Sequence, residues 1–173
     1  MGIIIRMLFW ILLIFGGGYF GYILDNKLFP SVKIGMLLHA ISFIIGLGLM
    51  MLVMRISKNT GRTLAKYGRK GKLRRLDTNV LVTQGIYSYM RHPMHLGLFL
   101  FPLSFAFITG IISFIIIIVP AEIVIMLLLI KLLEEPEAVA KFGDEYLQYR
   151  KTTPAFCLRI KCLKELLKKP ICK

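Results

Sequence analysis

Three long apolar stretches constrain the fold of this chain more than any other feature. The chain has 173 residues, of which 57% are hydrophobic. Residues 3–24, 32–56 and 111–133 each provide the run of about 20 apolar residues that a helix needs to cross a bilayer. Soluble domains interrupt their apolar runs with charges far more often. The pattern therefore predicts an all-α polytopic membrane protein.

A shorter apolar stretch, residues 96–108, predicts a fourth transmembrane helix. It reaches across a bilayer if the helix begins at Pro93, because a proline fits the first turn, where a backbone N–H has no partner. Thr109 and Gly110 are expected to form the tight outer turn. Pro102 and Pro120 predict kinks, since an interior proline removes a backbone hydrogen bond. We therefore expect four transmembrane helices arranged as two hairpins.

Within this scheme, residues 1–173 form a single domain with four parts. The predicted parts are an N-terminal helical hairpin over 1–56, a basic cytoplasmic loop and motif over 57–95, a second hairpin over 96–135 and a cytoplasmic C-terminal segment over 136–173. The polar residues 57–79 are expected to form a loop on the membrane surface. In the first helix, Gly17 and Gly21 form a pair of small residues that favours close approach of another helix.

The C-terminal tail combines an amphipathic pattern with three cysteines. Phe156, Ile160, Leu163 and Leu167 recur at helical spacing among basic residues, which is typical of a helix lying in the lipid interface. The cysteines are Cys157, Cys162 and Cys172. An odd number on a cytoplasmic face argues against a disulfide, and their spacing does not match a zinc site.

The positive charge of the chain is concentrated in two regions. The net charge is +14, and of the 23 Lys and Arg residues nine lie within residues 55–75 and ten within 131–173. By the positive-inside rule, both termini and the middle loop face the cytoplasm of a cell or endoplasmic-reticulum-type membrane. Beside transmembrane helices, such charge predicts attraction to anionic lipid headgroups rather than binding of nucleic acid.

A polar motif marks the transition from the basic loop to the third helix. Residues 85–97 read Gly-Ile-Tyr-Ser-Tyr-Met-Arg-His-Pro-Met-His-Leu-Gly. A helix beginning at Pro93 presents free N–H groups, and with Arg91 beside them it offers a seat for a carboxylate or phosphate. Alternatively, Arg91 binds lipid headgroups and Pro93 only begins a helix. These residues alone favour that second interpretation.

A second polar cluster follows the fourth span. Glu134 and Glu135 are expected at the cytoplasmic C-terminus of that helix. Carboxylates oppose the helix dipole there, and a site that breaks a local preference is a candidate functional site. The alternative is that these charges only mark the membrane boundary.

Taken together, the two clusters resemble the integral-membrane methyltransferases related to isoprenylcysteine carboxyl methyltransferase and phospholipid N-methyltransferases. The resemblance covers residues 75–155 approximately. It is carried by Gly85, Tyr87, Arg91, His92, Pro93 and Gly97, and then by Glu134, Glu135, Phe142, Gly143, Tyr146, Tyr149 and Pro154. The two motifs at this separation are far more specific than either motif alone.

The resemblance implies S-adenosylmethionine as the cofactor, held by the membrane hairpin and cytoplasmic segments. The implied cofactor-binding residues are Tyr87, Arg91, His92, Pro93, Gly97, Glu134 and Glu135, and the candidate catalytic residues are Arg91, His95 and Glu135. A guanidinium suits the carboxylate of the cofactor, and a glutamate suits its ammonium group or ribose hydroxyls. The implied reaction is methyl transfer to a lipophilic acceptor: a prenylcysteine carboxylate, a phospholipid amine or a similar small lipid.

One residue departs from the family pattern, because His95 stands where the family commonly has tyrosine. His95 is a candidate general base for an amine acceptor. The simpler interpretation is a pocket-lining side chain that hydrogen-bonds as the tyrosine would. His92 and His95 are three residues apart and share a helix face, but the sequence places no third ligand with them. We therefore expect no metal.

Two further functions remain open. Related folds in sterol metabolism use NADPH for reduction, so the chain is alternatively a membrane reductase. A third possibility is a non-catalytic scaffold that binds lipid. Inside the spans, His39 and Glu122 are predicted to form a hydrogen bond that ties the second helix to the fourth, since ionisable groups in membranes usually pair or line a cavity.

Overall fold

The computed structural model describes residues 3–30, 35–71 and 78–168, and within them the regular structure is helical, without a strand. The α-helices are α1 (Ile3–Leu28), α2 (Met36–Tyr67), α3 (Pro93–Thr109), α4 (Val119–Leu129), α5 (Glu135–Thr152) and α6 (Ile160–Leu167). A short 3₁₀ helix covers Gly85–Ser88, and two π-helical segments cover Phe114–Ile118 and Ile130–Glu134. The predicted all-α class is confirmed.

Within the described ranges, three helical stretches are long and apolar enough to cross a membrane: Leu8–Leu28, Met36–Tyr67 and Phe114–Thr152. The apolar helix α3 is shorter, so the count of four spans remains a prediction. Large apolar side chains cover the surfaces of these helices, and Met36, for example, is 91% exposed. Apolar surface of this extent is typical of a protein covered by lipid. The chain is an integral membrane protein.

The chain divides into two compact units, which the single-domain prediction did not address. The apolar unit comprises Met1–Met51 and Phe99–Leu128, and the polar unit comprises Leu52–Leu98 and Leu129–Lys173. The apolar unit contains most of the membrane-spanning sequence. The polar unit contains both motifs that the sequence singles out, so it holds the candidate site.

Close packing holds the apolar unit together. A Cβ atom added at Gly21 of α1 would lie 2.9 Å from Cβ of Phe114 and 3.1 Å from its backbone nitrogen, so only glycine fits. Phe114 belongs to the buried core with Ala106 and Val119. The predicted close approach at Gly21 is therefore confirmed. Nearby, the Asp25 carboxylate accepts hydrogen bonds from the backbone N–H groups of residues 112 and 113, at 2.9 and 2.6 Å. It thereby caps the helical segment that begins at these residues and continues into Phe114–Ile118.

The predicted pairing of His39 with Glu122 is wrong. The Glu122 carboxylate is buried against Gly17, and neither of its oxygens has a hydrogen-bond partner among the described residues. His39 is exposed and lies against Gly110, in the turn that follows α3, where the glycine has a φ of 70°. The two side chains therefore contact different parts of the unit.

Helix α2 continues far beyond the expected end of the second span. The predicted surface loop is wrong for residues 57–67, which are helical. Ile56, Thr60 and Thr63 are buried on one face of this extension, and the two threonine hydroxyls donate to carbonyl oxygens four residues earlier, at 2.8 and 2.9 Å. Burial of that face stabilises a helix that the polar sequence alone does not predict.

The fourth span also continues, because two π-helical turns accommodate its prolines. Pro120 and Pro136 each follow the end of a π-helical segment by two residues. A widened turn leaves space for a ring that otherwise clashes with the preceding turn. Glu134 and Glu135 therefore lie within a continuing helix rather than at a helix C-terminus, which corrects the prediction. The helix breaks later, at Gly143, which has a φ of 55°.

The tail contains the predicted helix, but the expectation that its cysteines form no disulfide is wrong. In α6, Ile160 is 72% exposed, while Cys162 is 4% exposed. Because α6 turns Cys162 inward, its Cα comes within 6.0 Å of that of Cys157, and the two form a disulfide. The number of cysteines in the chain does not predict this disulfide, because its formation depends on the local geometry of the tail. Cys172 lies outside the described residues.

Candidate active site

The first motif is held in place by the chain that follows α5. The backbone N–H of Arg91 donates to the carbonyl of Pro154 at 2.9 Å, and the N–H of His92 donates to that of Ala155 at 3.1 Å. Pro93 is fully buried and is the first residue of α3, as predicted. The backbone ahead of the helix is therefore fixed by tertiary hydrogen bonds.

The Arg91 side chain joins the two ends of α5. Its Nη2 donates to Oε1 of Glu135, the first residue of that helix. Its Nη1 donates to the carbonyl oxygens of Arg150, at 3.2 Å, and Thr153, at 2.6 Å, at the other end. The exposed fractions of the Arg91 and Glu135 side chains are 10% and 15%. Within the Arg91 side chain, Nε is the one nitrogen without a hydrogen-bond partner among the described residues.

His92 lies between the two glutamates. Its Nδ1 is 4.0 Å from Oε2 of Glu134, and its Nε2 is 3.5 Å from Oε1 of Glu135, which is at the limit of hydrogen-bond range. Burial lowers the pKa of His92, and the neighbouring His95 lowers it further, against the opposing effect of the two carboxylates. The ring is therefore neutral at pH 7.

His95 of α3 contacts the other glutamate. Its Nε2 lies 3.0 Å from Oε1 of Glu134, within hydrogen-bond distance. The His92 and His95 rings pack edge to face, with their centroids 5.4 Å apart. The structure thus brings Glu134 beside two histidines that are 39 and 42 residues away in sequence. This is the third potential metal ligand that the sequence did not place.

Two tyrosines connect α5 to the 3₁₀ helix. The Tyr149 hydroxyl donates to the carbonyl oxygen of Tyr87. Tyr87 is 8% exposed, and burial raises the pKa of its hydroxyl, which therefore stays protonated. Tyr146 is also buried, but its hydroxyl has no hydrogen-bond partner among the described residues.

These side chains surround a cavity of about 260 Å³ in the polar unit. Its lining residues are Leu64, Thr78, Val80, Leu81, Val82, Tyr87, Arg91, His92, Glu134, Ala138, Phe142, Tyr146 and Tyr149. Three of them carry buried polar atoms without a hydrogen-bond partner in the described part of the chain: Nε of Arg91, Nε2 of His92 and the Tyr146 hydroxyl. Unpaired buried polar atoms are costly, and here they mark a cavity suited to a polar ligand.

The predicted site residues fall into three groups. Tyr87, Arg91, His92 and Glu134 line the cavity, whereas Glu135 and His95 contact these residues from outside the lining. Pro93 and Gly97 instead position α3. A Cβ atom at Gly97 would lie 3.0 Å from Cγ2 of Ile56, so this glycine permits close packing against α2.

Three aromatic side chains of the cavity entered the sequence analysis only as part of the resemblance, without a predicted role: Phe142, Tyr146 and Tyr149. Tyr146 and Tyr149 are three residues apart, a spacing that indicates one helix face, whereas Phe142 precedes the break at Gly143. The sequence carries no signal that predicts the hydrogen bonds from Arg91 to the backbone carbonyl groups of Arg150 and Thr153.

The region of the chain that contains this site is similar to known proteins. The sequence model of the phospholipid methyltransferase family matches residues 34–145, which include both polar clusters. The chain is also 36% identical, over 83 residues, to a protein-S-isoprenylcysteine O-methyltransferase from Schizosaccharomyces pombe. That alignment covers 44% of this chain and 32% of the relative, so the chain spans about a third of the relative's length. No solved structure matches the chain significantly.

Proposed function

Because the chain belongs to the phospholipid methyltransferase family, we propose that it transfers a methyl group from S-adenosylmethionine to a lipophilic acceptor. The acceptor classes are a prenylcysteine carboxylate, a phospholipid amine or a similar small lipid. The observation that carries this proposal is the cavity beside the Arg-His-Pro motif, with three unpaired polar atoms in its lining residues. When bound there, the cofactor supplies an electrophilic methyl group on a sulfonium.

The donors and acceptors in the cavity lining fit the polar groups of that cofactor. Nε of Arg91 and the Tyr146 hydroxyl are available to donate to a carboxylate or hydroxyl oxygen. Glu134 provides an acceptor for an ammonium group or ribose hydroxyl. Aromatic faces of the lining, such as that of Tyr87, suit a sulfonium cation. The combination of a cation, a carboxylate and aromatic rings matches a zwitterionic, positively charged cofactor.

Of the two residues that contact the lining from outside, Glu135 has a positioning role and His95 has a chemical role in this proposal. The Arg91–Glu135 pair fixes α5 against the first motif, so that the cavity keeps its shape. Methyl transfer by in-line displacement needs alignment more than covalent help from the protein, and such alignment is worth about 7–11 kcal/mol in favourable cases. His95, which forms a hydrogen bond with Glu134, is placed to accept the proton of an amine acceptor.

The acceptor reaches the site from the lipid. Both kinds of relative are named for lipid-modified or lipid substrates, and the helices expose large apolar side chains along their lengths. A separate cavity of about 670 Å³ is lined by Met54, Arg55, Ser57, Lys58, Asn59 and Arg62. Its three cations attract anionic lipid headgroups. In this proposal α3 also crosses the membrane, as the third of four spans in chain order, and both termini and the site face the cytoplasm.

Equilibrium binding of S-adenosylmethionine to the full chain in nanodiscs tests the cofactor. We expect saturable binding that weakens by about tenfold or more in Glu134→Gln, which removes the charge of a cavity carboxylate. Glu137→Gln is the matched control, because Glu137 is an exposed carboxylate of the same helical region and does not line the cavity.

Two results would contradict the proposal: no binding to folded protein, or binding that is equal in both variants. NADPH is measured in the same assay, and NADPH binding in place of S-adenosylmethionine would favour a reductase. With the cofactor established, transfer of a labelled methyl group into lipid extracts identifies the acceptor class.

A further inference from the structure

We propose that His92, His95 and Glu134 form a binding site for a divalent transition metal ion of the zinc class. This inference goes beyond methyl transfer and does not depend on it. Each of the three residues offers one ligand atom, and these atoms lie within 4.8 Å of one another. Two imidazole nitrogens and one carboxylate oxygen are a usual ligand set for zinc.

The distances between the ligand atoms suit an ion of this size. His95 Nε2 lies 3.0 Å from Oε1 of Glu134, and His92 Nδ1 lies 4.0 Å from Oε2 of the same carboxylate. Zinc binds such atoms at about 2.0–2.2 Å, which puts neighbouring ligands of a tetrahedral site about 3.3 Å apart. The observed distances lie on both sides of that value, so small rotations of the side chains bring the ligands into position.

The surroundings of His92 provide an independent observation. Its side chain is 10% exposed, yet Nε2 has no hydrogen-bond partner within the described residues. Nε2 instead faces Oε1 of Glu135 at 3.5 Å, which leaves Nδ1 as the nitrogen nearest Glu134. A carboxylate beside the second nitrogen of the imidazole is usual for a histidine that binds zinc. The nearby Arg91 charge does not oppose a cation, because the guanidinium is paired with Glu135. The Glu134 carboxylate supplies a negative charge that offsets the charge of an ion.

The location of the cluster gives such an ion a role in ligand binding. His92 and Glu134 line the cavity of the polar unit. A zinc ion with three protein ligands keeps a fourth coordination position open. We expect a ligand in the cavity to take that position through an oxygen, nitrogen or sulfur atom. Nitrogen ligands disfavour Mg²⁺ and Ca²⁺, which prefer oxygen.

Titration of the chelator-treated full chain with Co²⁺ and Zn²⁺ tests the site. Co²⁺ substitutes for zinc and reports its ligands by visible ligand-field absorption. The background is Cys172→Ser, since a free thiolate binds zinc by itself. We expect one equivalent of bound metal, displaced by Zn²⁺ and not by Mg²⁺. Affinity should fall at least about tenfold in His95→Phe and in Glu134→Gln.

The chain has three histidines, and His39 is the one outside the proposed site, in the apolar unit. His39→Gln is therefore the matched control. It should bind Co²⁺ as the unmodified chain does. The proposal is overturned if the chain binds no metal, if both site variants bind it unchanged, or if His39→Gln loses binding equally. In those cases the His95–Glu134 contact is a hydrogen bond only.

X-ray absorption of the zinc-loaded chain identifies the metal ligands without any substitution. It therefore tests the proposed site even if a site variant does not fold. Two imidazole ligands in the first coordination shell support the site, and a shell without them overturns it. S-adenosylmethionine binding is measured separately on the same chelator-treated protein. Cofactor binding without metal binding refutes this inference alone, and metal binding without cofactor binding refutes the proposed function alone.

Discussion

The two units bury carboxylates in opposite ways. In the apolar unit, Glu122 is 2% exposed and lies against Gly17 without a hydrogen-bond partner among the described residues. In the polar unit, Glu135 is paired with Arg91 and lies beside His92. Burial of an unpaired acid is costly, whereas a paired acid fixes the groups around it. Burial of a carboxylate therefore does not by itself indicate a functional site: of these two residues, Glu135 is paired with its neighbours and Glu122 is not.

The source of stability differs accordingly between the units. Close packing around Gly21 and Phe114 holds the apolar unit. A network of charged and backbone groups around Arg91 holds the polar unit. Substitutions that remove charge should therefore affect the polar unit, and substitutions that add volume should affect the apolar unit.

The largest effect is expected when Arg91 is removed. Arg91→Ala should destabilise the protein by about 3 kcal/mol, because it leaves Glu135 largely buried without its cation and frees both ends of α5. Denaturant titration in mixed micelles measures the free energy of unfolding. Arg150→Ala is the control, since that side chain is 48% exposed and its Nη1 is 3.8 Å from Oε2 of Glu135; its effect should stay below about 1 kcal/mol. Equal losses in both variants would show that the buried network is not the cause.

Neutralising the two buried acids tests the comparison directly. Glu135→Gln should destabilise the protein by about 2 kcal/mol, because an amide replaces a charged acceptor of Arg91. Glu122→Gln should change the free energy of unfolding by less than about 0.5 kcal/mol, because no paired group loses its partner. The same micelle titration measures both. A larger loss in Glu122→Gln than in Glu135→Gln would reverse the roles assigned to these carboxylates.

Added volume should act on the apolar unit. Gly21→Ala is expected to cost about 1–2 kcal/mol, because its Cβ would meet the core residue Phe114 at 2.9 Å. Gly16→Ala is the matched control in the same helix, with no atom within 4 Å of the added carbon, and it should stabilise α1 by about 0.5–1 kcal/mol. Thermal unfolding followed by circular dichroism compares the two. If both substitutions stabilise the protein, the packing at Gly21 is looser than described.

Several features of the fold follow from local sequence. The long apolar stretches predict the membrane helices, because each stretch must bury its backbone polar groups in a helix when lipid surrounds it. Pro93 predicts the first residue of α3, and the apolar spacing of the tail predicts α6. The Arg-His-Pro and Glu-Glu patterns indicate the residues that meet in the polar unit. All of these signals depend on neighbours within a few residues.

Tertiary contacts decided the rest. The extension of α2 depends on burial of Thr60 and Thr63, and the continuation through Glu134 depends on a π-helical turn that accommodates Pro136. Residues far apart in sequence supplied the partners of Arg91 and placed Glu134 beside His95. The sequence by itself determined the central parts of the membrane helices, the start of α3 and the residue types that carry the chemistry. Only the tertiary structure decided which carboxylate is paired, because pairing depends on distances between segments that local propensity does not set.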